Sequence, residues 1–281
     1  YLSGSLNIPQ SLHKIPNNAF EYCGGMNGTL TLHDGVTAIG EYAFRGTHFR
    51  GEINLPKNLV VLQNYAFAGC DFSGELKLPS SLRSIGRKVF GDSDGDGACW
   101  RLMGTIVFPE GMQSIGEQAF YNCRSIEGLE FPESIETIQN SAFEGCYGIN
   151  SIVCKSEMPA NVLNNAFDGV AKDNFTLEVP ESAISQYQAA SGWCDFKRIA
   201  AHHELVCRPS VACALSTEHK QTLTINAEGD WEVASKPDWC EVSPASGSKK
   251  TEVTLTIKGM AKNADNREGK VVFRLKDKDY T

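Results

Sequence analysis

No run of apolar residues in this 281-residue chain approaches the roughly 20 needed to cross a bilayer, which excludes a membrane-spanning helix. Tyr1-Leu2-Ser3 does not open a segment with a basic start and an apolar core. The chain is therefore expected to be a soluble piece of an exported protein whose leader has been removed. Basic residues are also short: 26 Lys and Arg stand against 34 Asp and Glu, a net charge of -8. The deficit lies in one part of the chain, with 14 against 22 up to residue 200 and 12 against 12 beyond it. An acidic surface repels phosphate backbones, and no basic patch with interleaved aromatics offsets it, so nucleic acid is not expected as a partner. Catalytic motifs are missing as well: there is no Gly-x-Ser-x-Gly elbow, phosphate loop, His-Glu-x-x-His or Cys-x-x-Cys. An enzyme is not expected, and neither is a cofactor.

What the chain has instead is a repeat. Phe20, Phe44, Phe67, Phe90, Phe120, Phe143 and Phe167 follow one another at steps of 24, 23, 23, 30, 23 and 24 residues, a period in the solenoid range. An aliphatic residue stands five positions before each of them: Ile15, Ile39, Leu62, Ile85, Ile115, Ile138 and Val162. Further upstream lies a short alternating strand, often closed by proline, as in Ile53-Asn54-Leu55-Pro56 and Leu129-Glu130-Phe131-Pro132. One such unit cannot bury its own apolar face and must be covered by the next. The expected fold is mainly β, a solenoid of about eight coils with the phenylalanines as an internal ladder. Strands about 4.8 Å apart would make a sheet on the order of 35 to 40 Å long. Tyr1 enters in the middle of a repeat, so the natural protein is expected to extend further or to have lost an N-terminal cap.

The long step before Phe120 marks an insertion. Its Asp92-Ser93-Asp94-Gly95-Asp96-Gly97 matches the first half of a calcium loop, with Asp92, Asp94 and Asp96 at positions 1, 3 and 5. Position 12 is Met103 in place of a bidentate glutamate, so the preferred reading is a solvated acidic loop, with calcium as the weak alternative. Ten cysteines would suit a disulfide framework. Cys23, Cys70, Cys123 and Cys146, however, all fall three residues after an anchor phenylalanine, in a slot held elsewhere by Thr47, Ser93 and Val170. Free buried thiols are expected there.

After Pro180 the repeat gives way to a helical stretch, with Ser182 as N-cap, Ile184 and Tyr187 on one face and Gly192 as terminator. Together with Trp193 and Phe196 it reads as a cap over the last coil. The domain limits are placed at 1–200 and 205–281. From Leu223 onward, short alternating runs separated by Gly229-Asp230 and Ser246-Gly247-Ser248 argue for a small Ig-like β-sandwich.

Leu82-Arg83-Ser84-Ile85-Gly86, Ile115-Gly116-Glu117-Gln118-Ala119-Phe120-Tyr121-Asn122-Cys123 and their counterparts resemble the BspA-type leucine-rich repeats of surface proteins from Bacteroidetes and related bacteria. Gly229-Asp230-Trp231, Pro237 through Gly247 and Asn263 through Arg267 resemble the BACON domain, which is associated with carbohydrate binding. The BACON family usually carries a further strand beyond the one near Phe273, so this second domain reads as truncated. The resemblance implies secretion, cell-surface display and adhesion to host proteins or other cells.

The expected function is extracellular recognition by a monomer. The partner is a host or bacterial surface protein, held on the strand-bearing face of the solenoid. On each strand the residue between two inward aliphatics faces solvent, which yields the row Asn7, Thr31, Asn54, Lys77, Val107, Glu130, Val153 and Glu178. The alternative is carbohydrate or mucin binding through the second domain. Trp231 and Trp239 would then stack on sugar rings, although core positions are the preferred reading for both. A third possibility makes the second domain a spacer.

Overall fold

The computed structural model describes residues 4–91, 99–202, 205–208, 219–257 and 271–275. The chain divides into two compact units, residues 1–202 and 203–281.

The first unit is a right-through stack of coils, with two parallel sheets of seven strands and a further strand pair. One sheet is built from the two-residue strands Lys14–Ile15, Ala38–Ile39, Val61–Leu62, Ser84–Ile85, Ser114–Ile115, Thr137–Ile138 and Asn161–Val162. Each points its aliphatic inward, and these residues pair directly from coil to coil, as Ile115 does with Ile85 and Ile138. The other sheet runs from Arg50–Gly51 through Asp71–Glu75, Arg101–Val107, Ile126–Phe131, Ser151–Cys154 and Leu177–Val179 to Ile199–Ala201. The sequence pattern pointed to a single sheet. The aliphatic before each phenylalanine proves to be a strand of its own, too short to show an alternation in the sequence.

The anchor phenylalanines form the ladder. Phe20 through Phe167 stack in sequence with centroid separations of 5.4, 5.6, 5.7, 5.4, 5.3 and 5.6 Å. All but Phe20 are buried. The chain turns each corner around a phenylalanine by a device that the repeat pattern did not reveal. The residues two before it (Asn18, Tyr42, Tyr65, Lys88, Gln118, Ser141, Asn165) all have φ between 50° and 59°. The residues two after it (Tyr22, Gly46, Gly69, Asn122, Gly145, Gly169) are left-handed too.

The hydrogen bonds explain this. Left-handed residues between right-handed ones turn alternate N–H groups toward the next coil. Tyr42 donates to the Asn64 carbonyl, Phe44 to Ala66 and Gly46 to Ala68, at 3.0, 2.9 and 2.8 Å. The strain of a left-handed non-glycine residue, about 1–2 kcal/mol, is offset where corner donors find acceptors on the next coil, as at Tyr42, Phe44 and Gly46.

In four of the coils the slot three residues after the phenylalanine also has a polar task. The Thr47 hydroxyl donates to the Phe44 carbonyl at 2.7 Å. The thiols of Cys70, Cys123 and Cys146 reach the carbonyls of Phe44, Phe90 and Phe120, one coil back, at 3.7, 3.6 and 3.1 Å. A small side chain with one weak donor fits this position. Cys23, Cys70, Cys99, Cys123, Cys146, Cys154, Cys194 and Cys240 are free.

The cap follows Pro180 as a single 3-10 turn, Glu181–Ala183, and a helix, Ile184–Ala189. Ser182 is not the N-cap. The N-cap is Ala183, which supplies no side-chain cap, and the Ser182 hydroxyl donates instead to Glu157 at 3.3 Å. Pro180, with φ -55°, starts the 3-10 turn and places Ser182 inside it. The helix ends three residues before Gly192, whose φ is +81°. Tyr187 and Trp193 are fully buried, with the Tyr187 hydroxyl donating to the Ser156 carbonyl and the Trp193 indole N–H to that of Ala160. Ile199–Ala201 then pairs with Leu177–Val179 and continues the sheet.

The second unit is antiparallel. The 17-residue strand His219–Ser235 pairs with Ser246–Ile257 along its length, with a register shift between Asn226 and Asp230. Leu205–Arg208 lies on its first half and Val272–Leu275 on its second. Cys240–Ser243 completes a five-stranded sheet. Two small apolar clusters form, one around Leu223, Cys240 and Leu255 and one around Ile225, Trp231 and Val253.

Candidate functional site

The outward row on the longer strands exists in segments. Asn7 stands opposite Thr31, and Asn54 bridges to Lys77. From Val107 the row is continuous: Val107 opposes Glu130, Glu130 opposes Val153, and Val153 opposes Glu178. Between Lys77 and Val107 it steps. Glu75 pairs with Met103, two residues out of phase with the repeat, and a register shift follows between Ile126 and Gly128. The insertion before Phe120 is the cause, because it delivers the chain to Arg101–Val107 out of phase. Gly104, at φ +75°, lies within the displaced stretch.

This step gathers apolar surface. Val107 is 49 % exposed, and Met103, on the same strand, is 47 % exposed. Trp100, in the turn leading into the strand, is 52 % exposed, with the Arg101 guanidinium 5.6 Å from its ring centroid. Leu102 and Ile106, which alternate with Met103 and Val107 along the strand, are buried, while Trp100 lies ahead of the strand and outside this alternation. Strand alternation thus sorts the side chains of one segment into a core half and a solvent half. Trp100 and Met103 were missed at the sequence level. The alternation Arg101-Leu102-Met103, running ahead of the repeat's own strand, was the signal available.

Around these residues the face is polar. Asn7, Thr31, Asn54 and Lys77 are exposed, while Glu130, Val153 and Glu178 are half-buried. The two glutamates are engaged within the protein. Glu130 pairs with Lys155 at 2.6 Å, and Glu178 lies 2.7 Å from His202 Nδ1. Lys77 stands 3.8 Å from Glu75. Exposed pairs of this kind contribute roughly 0–1 kcal/mol to stability, so their main effect is to hold the side chains in place. Three exposed apolar side chains thus lie along the segment 100–107, with polar and charged residues on the neighbouring strands.

Trp231 is fully buried. Its ring meets Phe273 edge-on at 5.6 Å, and a Cβ added to Gly247 would lie 2.7 Å from it. It has no free face on which a sugar could stack. Trp239 is half-buried beside Leu223, Cys240 and Leu255. Asp92, Asp94 and Asp96 lie outside the described residues. Among the described residues no group of three or more His, Cys, Asp or Glu side chains is placed to hold a metal, and no helix is long and apolar enough to cross a membrane.

Comparison with known proteins follows the same division. The family profile described as BspA type leucine rich repeat region matches residues 3–95 and 99–197, in six copies. The BACON binding-domain profile matches residues 229–281. No curated protein matches. Among solved structures, the T. pallidum leucine rich repeat protein is 23% identical, with a TM-score of 0.46, over 58% of this chain and 73% of that one. A leucine-rich repeat protein from Eubacterium ventriosum is 18% identical, with a TM-score of 0.41, over 64% of this chain and 54% of that one. A leucine rich cell surface protein from Faecalibacterium prausnitzii is 19% identical, with a TM-score of 0.27, over 70% and 59%.

Proposed function

Because the chain belongs to the BspA-type leucine-rich repeat family, we propose that it is a displayed recognition protein that binds a surface protein of a host or another bacterium. The contact is the outward face of the longer sheet, centred on Trp100, Met103 and Val107 and bordered by Lys77, Glu130, Val153 and Glu178. Binding, rather than catalysis, suits a rigid stack of coils that carries side chains in fixed rows. The observation that carries this reading is the exposed tryptophan, methionine and valine on one short segment. Folding does not require them to be apolar, and such groups anchor interfaces.

The test compares the full chain with a Trp100→Ala/Met103→Glu/Val107→Glu variant, both immobilised and exposed to labelled surface proteins of host cells and of co-resident bacteria. A protein retained by the parent chain and lost by a variant of unchanged melting temperature supports the assignment. Equal retention by both would move the contact away from this face. Parallel changes at Asn7, Thr31 and Asn54 map how far along the row it extends.

The second domain enters this reading as a binding domain by family. With Trp231 in the core, Trp239 is the tryptophan there that keeps some surface, and it would carry sugar binding in the alternative reading. A glycan bound by the full chain and released by Trp239→Ala would favour that alternative, or a combined role, over a spacer.

A further inference from the structure

At the corner of the last full coil, the turn Phe167 to Asn174 and Asp195 of the cap line an open surface cleft of about 420 Å³. Its walls are locked. Lys172 Nζ contacts Asp195 at 3.1 Å, Lys197 pairs with Asp173, and Arg198 donates to the Asp173 carbonyl at 3.0 Å. The turn itself is tied by the N–H groups of Val170, Lys172 and Asn174, which donate to the carbonyls of Phe167, Val170 and Ala171. Two planar polar side chains are left for a ligand. The carboxylate of Asp168 and the carboxamide of Asn174 line the cleft and meet no side-chain or backbone partner among the described residues.

Tyr147 stands beside Gly169 of the cleft wall, with the Arg124 guanidinium 5.8 Å from its ring centroid. It is 60 % exposed, and its ring leans on Gly169, where an added Cβ would lie 2.8 Å from the ring edge. Only a glycine at that position, with φ +85°, lets the ring come this close.

We propose that this corner of the solenoid is a binding site for a neutral, hydroxyl-rich oligosaccharide. Asp168 accepts hydrogen bonds from vicinal hydroxyls, and Asn174 both donates and accepts. The partly exposed Tyr147 ring supplies an apolar surface for the C–H face of a sugar. The charges around the cleft, Asp168, Asp173 and Asp195 against Lys172, Lys197 and Arg198, balance. Lys172 and Lys197 are paired with Asp195 and Asp173, so the charged group left facing a ligand is the Asp168 carboxylate, which disfavours a sialylated or sulfated chain. The site lies on the repeat unit.

The test applies the full chain to a printed array of neutral, sialylated and sulfated oligosaccharides, followed by titration calorimetry with the strongest neutral glycan. Asn174→Ala and Tyr147→Ala are each expected to weaken binding by about tenfold or more at unchanged melting temperature, with Trp239→Ala without effect. The proposal is overturned if no neutral glycan binds, if only anionic glycans bind, if both cleft variants bind normally, or if Trp239→Ala abolishes the signal. Should a cleft variant unfold, Asp168→Asn at the exposed wall gives the same readout, since it keeps the shape and removes the charge.

Discussion

Phe120 lies flat on Phe143, with ring centroids 5.3 Å apart and ring planes 4° from parallel, and Phe90 covers its other face at 5.4 Å. Each inner ring of the ladder, from Phe44 to Phe143, is therefore part of two coil interfaces, so its loss is felt on both sides. Phe120→Ala should cost roughly 3–5 kcal/mol, read as the fall in denaturation midpoint. A midpoint shift equivalent to less than about 1 kcal/mol would mean that the coils hold together without their aromatic rungs.

The left-handed corners predict opposite effects for two substitutions four residues apart. Ser141 sits at φ 55° and Gly145 at φ +77°. Ser141→Gly relieves a strain of about 1–2 kcal/mol, against a chain-entropy loss of about 0.5–1 kcal/mol, so the melting temperature should rise slightly. Gly145→Ala imposes that strain and sets a methyl 2.4 Å from Asn122 Oδ1, so the melting temperature should fall. Thermal melts of the two variants with opposite signs would establish the corner geometry. A fall in both would contradict it.

The thiol column predicts how stability depends on pH. Burial pushes the thiols of Cys70 and Cys146 from an ordinary 9.0 up to about 12, and those of Cys99 and Cys123 well above 9.0. Above pH 9 the unfolded chain loses these protons while the folded chain keeps them. The folded state then binds more protons, and stability falls as pH rises, by about 1.4 kcal/mol per thiol per pH unit in the window from 9 to 12. Urea titrations at pH 8 and pH 10 should show a smaller loss for Cys146→Ala than for the parent chain. Lysine and tyrosine ionisation is common to both proteins and cancels. Equal losses would mean that the thiols reach water.

Much of this was legible in the sequence because the repeat is spaced by packing. Phe120 must meet Phe143, and a ring stack tolerates little variation in spacing or residue type. The left-handed corners were not legible, because handedness there is imposed by inter-coil hydrogen bonds and the residues that accept it are as unlike as Tyr65, Lys88 and Ser141. The outward row was readable as a position in the repeat, but its engagement was not. Glu130 and Glu178 find Lys155 and His202 through neighbouring coils, and nothing within either strand announces those partners. Trp100 and Met103 escaped because the insertion shifts their strand out of phase, which a fixed period cannot register. The cleft beside Asn174 is made where the last coil meets Asp195 of the cap, two segments that share no pattern.

The apolar centre of the outward face should matter little to folding. Leu102 and Met103 are neighbours on one strand, one buried and one half exposed. Leu102→Ala removes a core side chain and should cost about 2–5 kcal/mol. Met103→Thr should stay within about 0.5 kcal/mol of the parent, since an exposed strand position accepts a β-branched polar residue readily. Trp100→Ala loses the Arg101 contact, worth about 0.5–1 kcal/mol at an exposed site, and little else. Chemical denaturation of the three variants checks the order. If Met103→Thr and Trp100→Ala destabilise as severely as Leu102→Ala, these side chains belong to the scaffold, and their exposure no longer argues for a partner. If they leave stability unchanged, an apolar patch that the fold does not need is left to be explained by what it touches.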